Sequence, residues 1–200
     1  MDAGNKTITF PNIAVLVSGS GSNLQAIIDD EIPVALVLSD RPNVNALERA
    51  SNVNIETVVI DRSEYKGQRE VFTSEIVKAL KEKNIELIIL AGFMTILSAE
   101  IFETYENHVI NIHPSLLPAF KGAHAVESAL EAGVQVTGCT VHIATANVDD
   151  GPILAQESVD ILPGDNADSL HERIQKVEHS LYPRAIRQFI TSKGNNDTSS

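Results

Sequence analysis

Short apolar runs and amphipathic segments take turns over roughly the first 130 residues, and few folds accommodate that alternation. Runs at 13–17, 34–38, 57–60, 87–90 and 109–112 read as strands. Between them, Phe72, Ile76, Ala79 and Leu80 recur at spacings of three and four and mark one face of a helix beginning near Lys66. Segments 23–29, 44–51, 98–105 and 123–132 also read as helices, the last ended by Gly133. Alternation of this kind implies an α/β fold, a mostly parallel twisted sheet with right-handed crossovers. Two later runs, 136–143 and 153–159, flank a loop at 147–152 closely enough to form a hairpin. The sheet is therefore expected to have an antiparallel edge.

A final helix at about 167–190 carries Leu170, Ile174, Val177, Leu181 and Ile186 on near-helical spacing, with Pro183 expected to kink it. Neither an internal repeat nor a Gly-, Ser- or Pro-rich linker divides the chain. Residues 1–190 are expected to form a single domain, and the polar 191–200 a disordered tail.

Charge narrows the partners. Fifteen Lys and Arg against 27 Asp and Glu give 15 − 27 = −12. Nucleic-acid backbones are bound by clustered cations, so no nucleic-acid partner is expected. No apolar run approaches membrane-spanning length, and Lys6 is followed by no apolar signal core, so neither a membrane partner nor secretion is expected. A lone cysteine, Cys139, fits a reducing cytoplasm and reads as a packed small residue of a strand rather than a nucleophile. The histidines lack metal-ligand spacing with Cys or carboxylate partners, so no metal is expected.

Three segments carry chemistry. Asn111 and His113 lie two apart at the end of a strand, so both side chains point to one face. Pro114 and Pro118 then force an irregular loop. A hydrogen-bond donor and a titratable acid/base are thereby fixed at a strand's carboxyl end, where open α/β sheets bind ligands. The Ser18-Gly19-Ser20-Gly21-Ser22-Asn23 loop joins the first strand to the first helix, a turn suited to phosphate. Leu24 occupies the position where a dinucleotide fingerprint has Gly or Ala, and no Gly-Lys-Ser/Thr follows. A phosphate monoester fits better than NAD or ATP. The turn Val148-Asp149-Asp150-Gly151-Pro152 offers a carboxylate that, beside an imidazole, fixes its tautomer and favours the protonated ring.

Those segments, with Ala91-Gly92-Phe93-Met94 and Glu178-His179-Ser180-Leu181-Tyr182-Pro183, occur in one order that closely resembles the phosphoribosylglycinamide formyltransferases. The resemblance covers roughly residues 11 to 190. It implies a Rossmann-like formyltransferase fold, with 10-formyltetrahydrofolate as one-carbon donor and glycinamide ribonucleotide as acceptor in purine biosynthesis. By motif, Asn111, His113 and Asp149 would be catalytic. Gly21, Ser22 and Asn23 would hold the ribonucleotide phosphate and Glu178 its ribose hydroxyls. Arg69, Met94, Thr95, Ile96, Leu97, Asn111, Thr145, Ala146, Asn147, Val148 and Asp149 would line the folate site. Separately from the resemblance, the place of His124 close after the prolines is expected to bring it to the border of the pocket. Thr95 is a departure, since the family often has Arg there. A monomer or homodimer is expected.

Other readings keep one part of this chemistry. A methionyl-tRNA formyltransferase should carry a further C-terminal domain and basic surface, and a formyltetrahydrofolate deformylase an N-terminal regulatory domain. A non-catalytic phosphate-binding module would have no use for Asn111, His113 and Asp149 together.

Overall fold

The protein, seen in a computed structural model, is described over residues 10–196. The expectation drawn from Lys6 and the last four residues of the expected tail lie outside that range. Seven strands form one sheet in the order β3-β2-β1-β4-β5-β6-β7. They are β1 (Ile13–Val17), β2 (Val34–Ser39), β3 (Glu56–Val59), β4 (Leu87–Leu90), β5 (Val109–His113), β6 (Val136–Ile143) and β7 (Ile153–Asp160). Strands β1 to β5 are mutually parallel, while β6 runs antiparallel to both its neighbours, β5 and β7, giving the mixed edge the hairpin spacing implied.

Strand residues alternate between two apolar layers. Ile13, Val15 and Val17 face α1 (Ser22–Asp29), α2 (Asn45–Asn52), α5 (Ala125–Glu131) and α6 (Ala167–Asn196). Ala14 and Leu16 face α3 (Arg69–Glu82) and α4 (Ala99–Thr104). Every residue of β1 is fully buried, as expected for a central parallel strand covered on both sides. The strand order reverses between β1 and β4, so the loops leaving their carboxyl ends diverge and open a crevice. Those loops hold Ser18–Asn23 and Ala91–Leu97.

Two boundaries depart from expectation. Helix α3 begins at Arg69 rather than near Lys66, because Gly67 adopts φ +75°, outside the right-handed helical region. Arg62–Tyr65 instead forms a 3-10 turn, capped by the Asp61 carboxylate, which accepts from the Ser63 N–H. Helix α6 continues through Pro183 to Asn196, so its last turns occupy the first six positions of the expected disordered tail. Thr191 and Ser192 there turn their hydroxyls onto the carbonyls of Arg187 and Phe189. Extending an existing helix adds a backbone bond for each residue fixed, which polar composition alone does not reveal.

Candidate active site

The end of β5 supplies the first pair. Asn111 and His113 point to one face of the sheet, opposite the buried Ile110 and Ile112. Antiparallel pairing places His142 of β6 directly across from Asn111, and Asn111 Nδ2 lies 3.1 Å from His142 Nε2. His142 Nδ1 lies 3.0 Å from the Ile143 carbonyl. An amide NH2 only donates and a carbonyl only accepts, so His142 is held between the Asn111 amide and the Ile143 carbonyl. It orients the Asn111 amide and leaves the second Asn111 N–H for a ligand. His142 was not among the residues expected from sequence.

The connection between β6 and β7 supplies the carboxylate. Asp149 Oδ2 stands 3.3 Å from His113 Nδ1 and accepts from the Gly122 N–H at 2.8 Å. The other nitrogen, His113 Nε2, meets the Phe120 carbonyl at 2.8 Å. An oxygen acceptor thus stands at each ring nitrogen and fixes how the imidazole is oriented. A hydrogen bond from Nε2 to a ligand must therefore replace the one to Phe120. Burial alone would raise the Asp149 carboxyl, but the neighbouring His142, the Gly122 N–H and the nearby His113 keep it below the ordinary carboxylate value. Asp149 Oδ1 also comes within 3.6 Å of His142 Nε2, too far for a hydrogen bond.

The glycine loop takes a conformation only glycine accepts comfortably. Gly21 is the N-cap of α1 at φ +71°, and a Cβ there would lie 2.7 Å from Ala46 Cβ. It offers no side-chain cap, so the first-turn N–H groups of α1 are free to face an anion. Asn23 is buried and donates from Nδ2 to Glu178 Oε2 at 3.0 Å, tying the loop to α6. Burial pushes the Glu178 carboxyl up, a shift that the Asn23 bond and the nearby His171 and His113 only partly offset. The Gly21–Asn23 turn is thus joined to Glu178 through the Asn23 bond.

The remaining expected residues are more scattered. Met94 and Ile96 are exposed, whereas Leu97 packs into the core against α3 and α4. Of the Thr145–Asp149 stretch, Ala146, Asn147 and Val148 are exposed around the inward-turned Asp149. Arg69 sits exposed at the start of α3 on Glu70, with no hydrogen bond to the trio. His124 is exposed ahead of α5, with no such bond either. Cys139 is buried in β6 with its thiol pushed up to about 12 by that burial, consistent with a packing role. Among the described residues no group of three or more His, Cys, Asp or Glu has the arrangement to hold a metal ion. A cleft of about 520 Å³ between α1 and α6 begins at Ser22 of the glycine loop and is lined by Arg49 and His179, with no member of the trio in it.

Comparison with known proteins agrees with this geometry. A family model described as formyl transferase matches residues 11–186. The chain belongs to the formyl transferase family. This formyl transferase is 38% identical over 183 residues to the phosphoribosylglycinamide formyltransferase of Bacillus subtilis, covering 88% of the chain and 93% of that relative. It is 44% identical over 186 residues to the trifunctional purine biosynthetic protein adenosine-3 of Drosophila melanogaster, covering 89% of the chain but only 14% of that longer protein. Glycinamide ribonucleotide transformylase 1 from Symbiobacterium toebii superposes with a TM-score of 0.88 at 42% identity, covering 96% of this chain and 94% of that one. The seven-stranded architecture is therefore the formyltransferase fold.

Proposed function

We propose that this formyl transferase moves the formyl group of 10-formyltetrahydrofolate to the amine of glycinamide ribonucleotide. The products are formylglycinamide ribonucleotide and tetrahydrofolate, in cytoplasmic purine biosynthesis. The observation that carries the reading is the Asp149–His113 pair standing beside an Asn111 amide oriented by His142. The relatives' names agree with that choice of reaction.

The acceptor amine attacks the formyl carbon, forming a C–N bond and a tetrahedral centre that bears an oxyanion. The free Asn111 N–H and His113, once released from Phe120, donate to that oxygen. One such donor is worth about 2.7–4 kcal/mol in systems where it has been removed. The bond to the folate nitrogen then breaks, and the proton lost by the amine passes to that nitrogen through His113 or a water held by Asp149. The phosphate docks on the N–H groups of Gly21, Ser22 and Asn23, and Glu178 takes the ribose hydroxyls. The donor lies against Met94, Thr95, Ile96 and Leu97, the Thr145–Asp149 loop and Arg69, and the enzyme works as a monomer or homodimer.

Purified protein is expected to consume 10-formyltetrahydrofolate only when glycinamide ribonucleotide is present, with one tetrahydrofolate released for each ribonucleotide formylated. Release of free formate at a similar rate without acceptor would instead make the protein a hydrolase of the donor.

A further inference from the structure

At the carboxyl end of β2, Asp40 is fully buried. Burying a carboxyl is costly unless it is hydrogen-bonded, and the bonds that its Oδ2 makes identify what it holds. Asp40 Oδ2 accepts from the Thr95 hydroxyl at 2.5 Å. The Thr95 oxygen in turn accepts from Arg62 Nη1 at 3.2 Å, and the same nitrogen lies 3.7 Å from Asp40 Oδ2. Thr95 is therefore a hydroxyl bridge between a buried anion and a guanidinium from the 3-10 turn after β3. The next residue back is held as well, because the Met94 N–H donates to the buried Ser18 Oγ at 2.8 Å.

Two consecutive residues of the Met94–Leu97 segment are thus pinned from beneath, by the loops leaving β1 and β2. On either side of Thr95 two apolar side chains stay in the open, Met94 at 66% exposure and Ile96 at 60%. Exposed apolar residues flanking a rigidly anchored one suit a surface that presents itself to a ligand. We propose that Asp40, with Arg62 as its counter-charge, is a positioning residue for the formyl donor, acting through Thr95 to fix how Met94 and Ile96 stand. This rests on the placement of the donor against Met94–Leu97 proposed above.

Thr95→Val keeps the shape and removes the bridge. The hydroxyl's loss should raise the KM for 10-formyltetrahydrofolate about tenfold, as for a lost hydrogen bond to a charged group. The KM for glycinamide ribonucleotide should stay near wild type, and kcat should fall far less than the donor KM rises. Thr95→Ser should restore the donor KM. Amide hydrogen exchange at Met94 and Ile96, which needs no turnover, should quicken in Thr95→Val and return in Thr95→Ser. Arg62→Ala, at a partly exposed side chain, provides a second variant with the same expected direction should Thr95→Val not fold. An unchanged donor KM in variants that fold, equal losses for both substrates, or unchanged exchange would overturn the proposal. Absence of turnover by the wild type would count against the assigned reaction, and the exchange comparison would still decide whether the bridge holds the segment.

Discussion

His113 is clasped at both ring nitrogens, by the Asp149 carboxylate and by the Phe120 carbonyl, so its chemistry depends on which partner it gives up. Asp149 is the harder to replace, because it also accepts from the Gly122 N–H. Asp149→Asn keeps the size but removes the charge. Formyl transfer should fall by roughly two orders of magnitude or more, while ribonucleotide affinity, set at the Gly21–Asn23 turn, should barely change. Double variants with Asn111→Ala should lose less than the sum of the singles, because both groups serve one oxyanion. Steady-state kinetics alongside direct ribonucleotide binding checks this, and near-normal turnover in Asp149→Asn would reduce that residue to turn chemistry. The Asp149 carboxyl sits below its ordinary value of 3.8, so its stabilising contribution is complete above that value and is lost only as pH falls through the lower folded one. Asn111 and His113 were legible as a pair because a strand's period of two is local. His142 was not, since its place opposite Asn111 depends on β6 pairing with β5, and a hairpin reading of β6 and β7 leaves that partner unspecified.

At the scale of elements, the ends of α6 show what local patterning conveys and where it stops. Its start is secured by a reciprocal pair: the Ser169 N–H donates to Asn166 Oδ1 at 2.9 Å, and the Asn166 N–H to Ser169 Oγ at 3.1 Å. Arg173 reinforces the same turn by donating to both oxygens of Asp165, the main reason that carboxyl is held far below its usual value. Asn166→Ala should cost about 1 kcal/mol of stability, seen as a lower urea midpoint with an unchanged slope. Its kcat should be retained, because the cap lies three turns before Glu178. A matching loss of kcat would mean that α6 transmits strain to the site. The apolar stripe of this helix was readable because Leu170, Ile174, Leu181 and Ile186 must face the sheet. Its continuation to Asn196 was not, because Thr191 and Ser192 are weak helix formers whose back-bonding to the preceding turn appears only in three dimensions. The 3-10 turn at Arg62–Tyr65 was equally unreadable, being four residues long and too short to carry a period.

For the whole molecule, the reversal of strand order between β1 and β4 does most to place the site, since it sets the glycine loop and the Met94 loop at one crevice. Strand and helix alternation made the sheet legible, but the order of its strands, and so the bond from the Met94 N–H to Ser18, follows from crossovers that no single segment encodes. The crevice also burdens the fold with a buried acid. Glu178 hangs from α6 into the interior, its Oε2 accepting from Asn23, and burial raises its carboxyl above the ordinary 4.5. For an acid whose folded value is raised, the stabilising contribution is fully present below the unfolded value and is lost as pH rises through the folded one. At neutral pH Glu178 therefore weighs against the native state. Glu178→Gln keeps an oxygen for Asn23 and removes the buried charge. The variant should be the more stable protein at pH 7 to 8, with the advantage shrinking as pH falls toward 4.5, while its ribonucleotide KM rises because a carboxylate no longer meets the ribose hydroxyls. Urea unfolding of both proteins across that pH range, together with acceptor KM values, separates the two effects. A stability difference that stays constant with pH would show that the raised Glu178 carboxyl is not what the fold gives up to hold this acceptor.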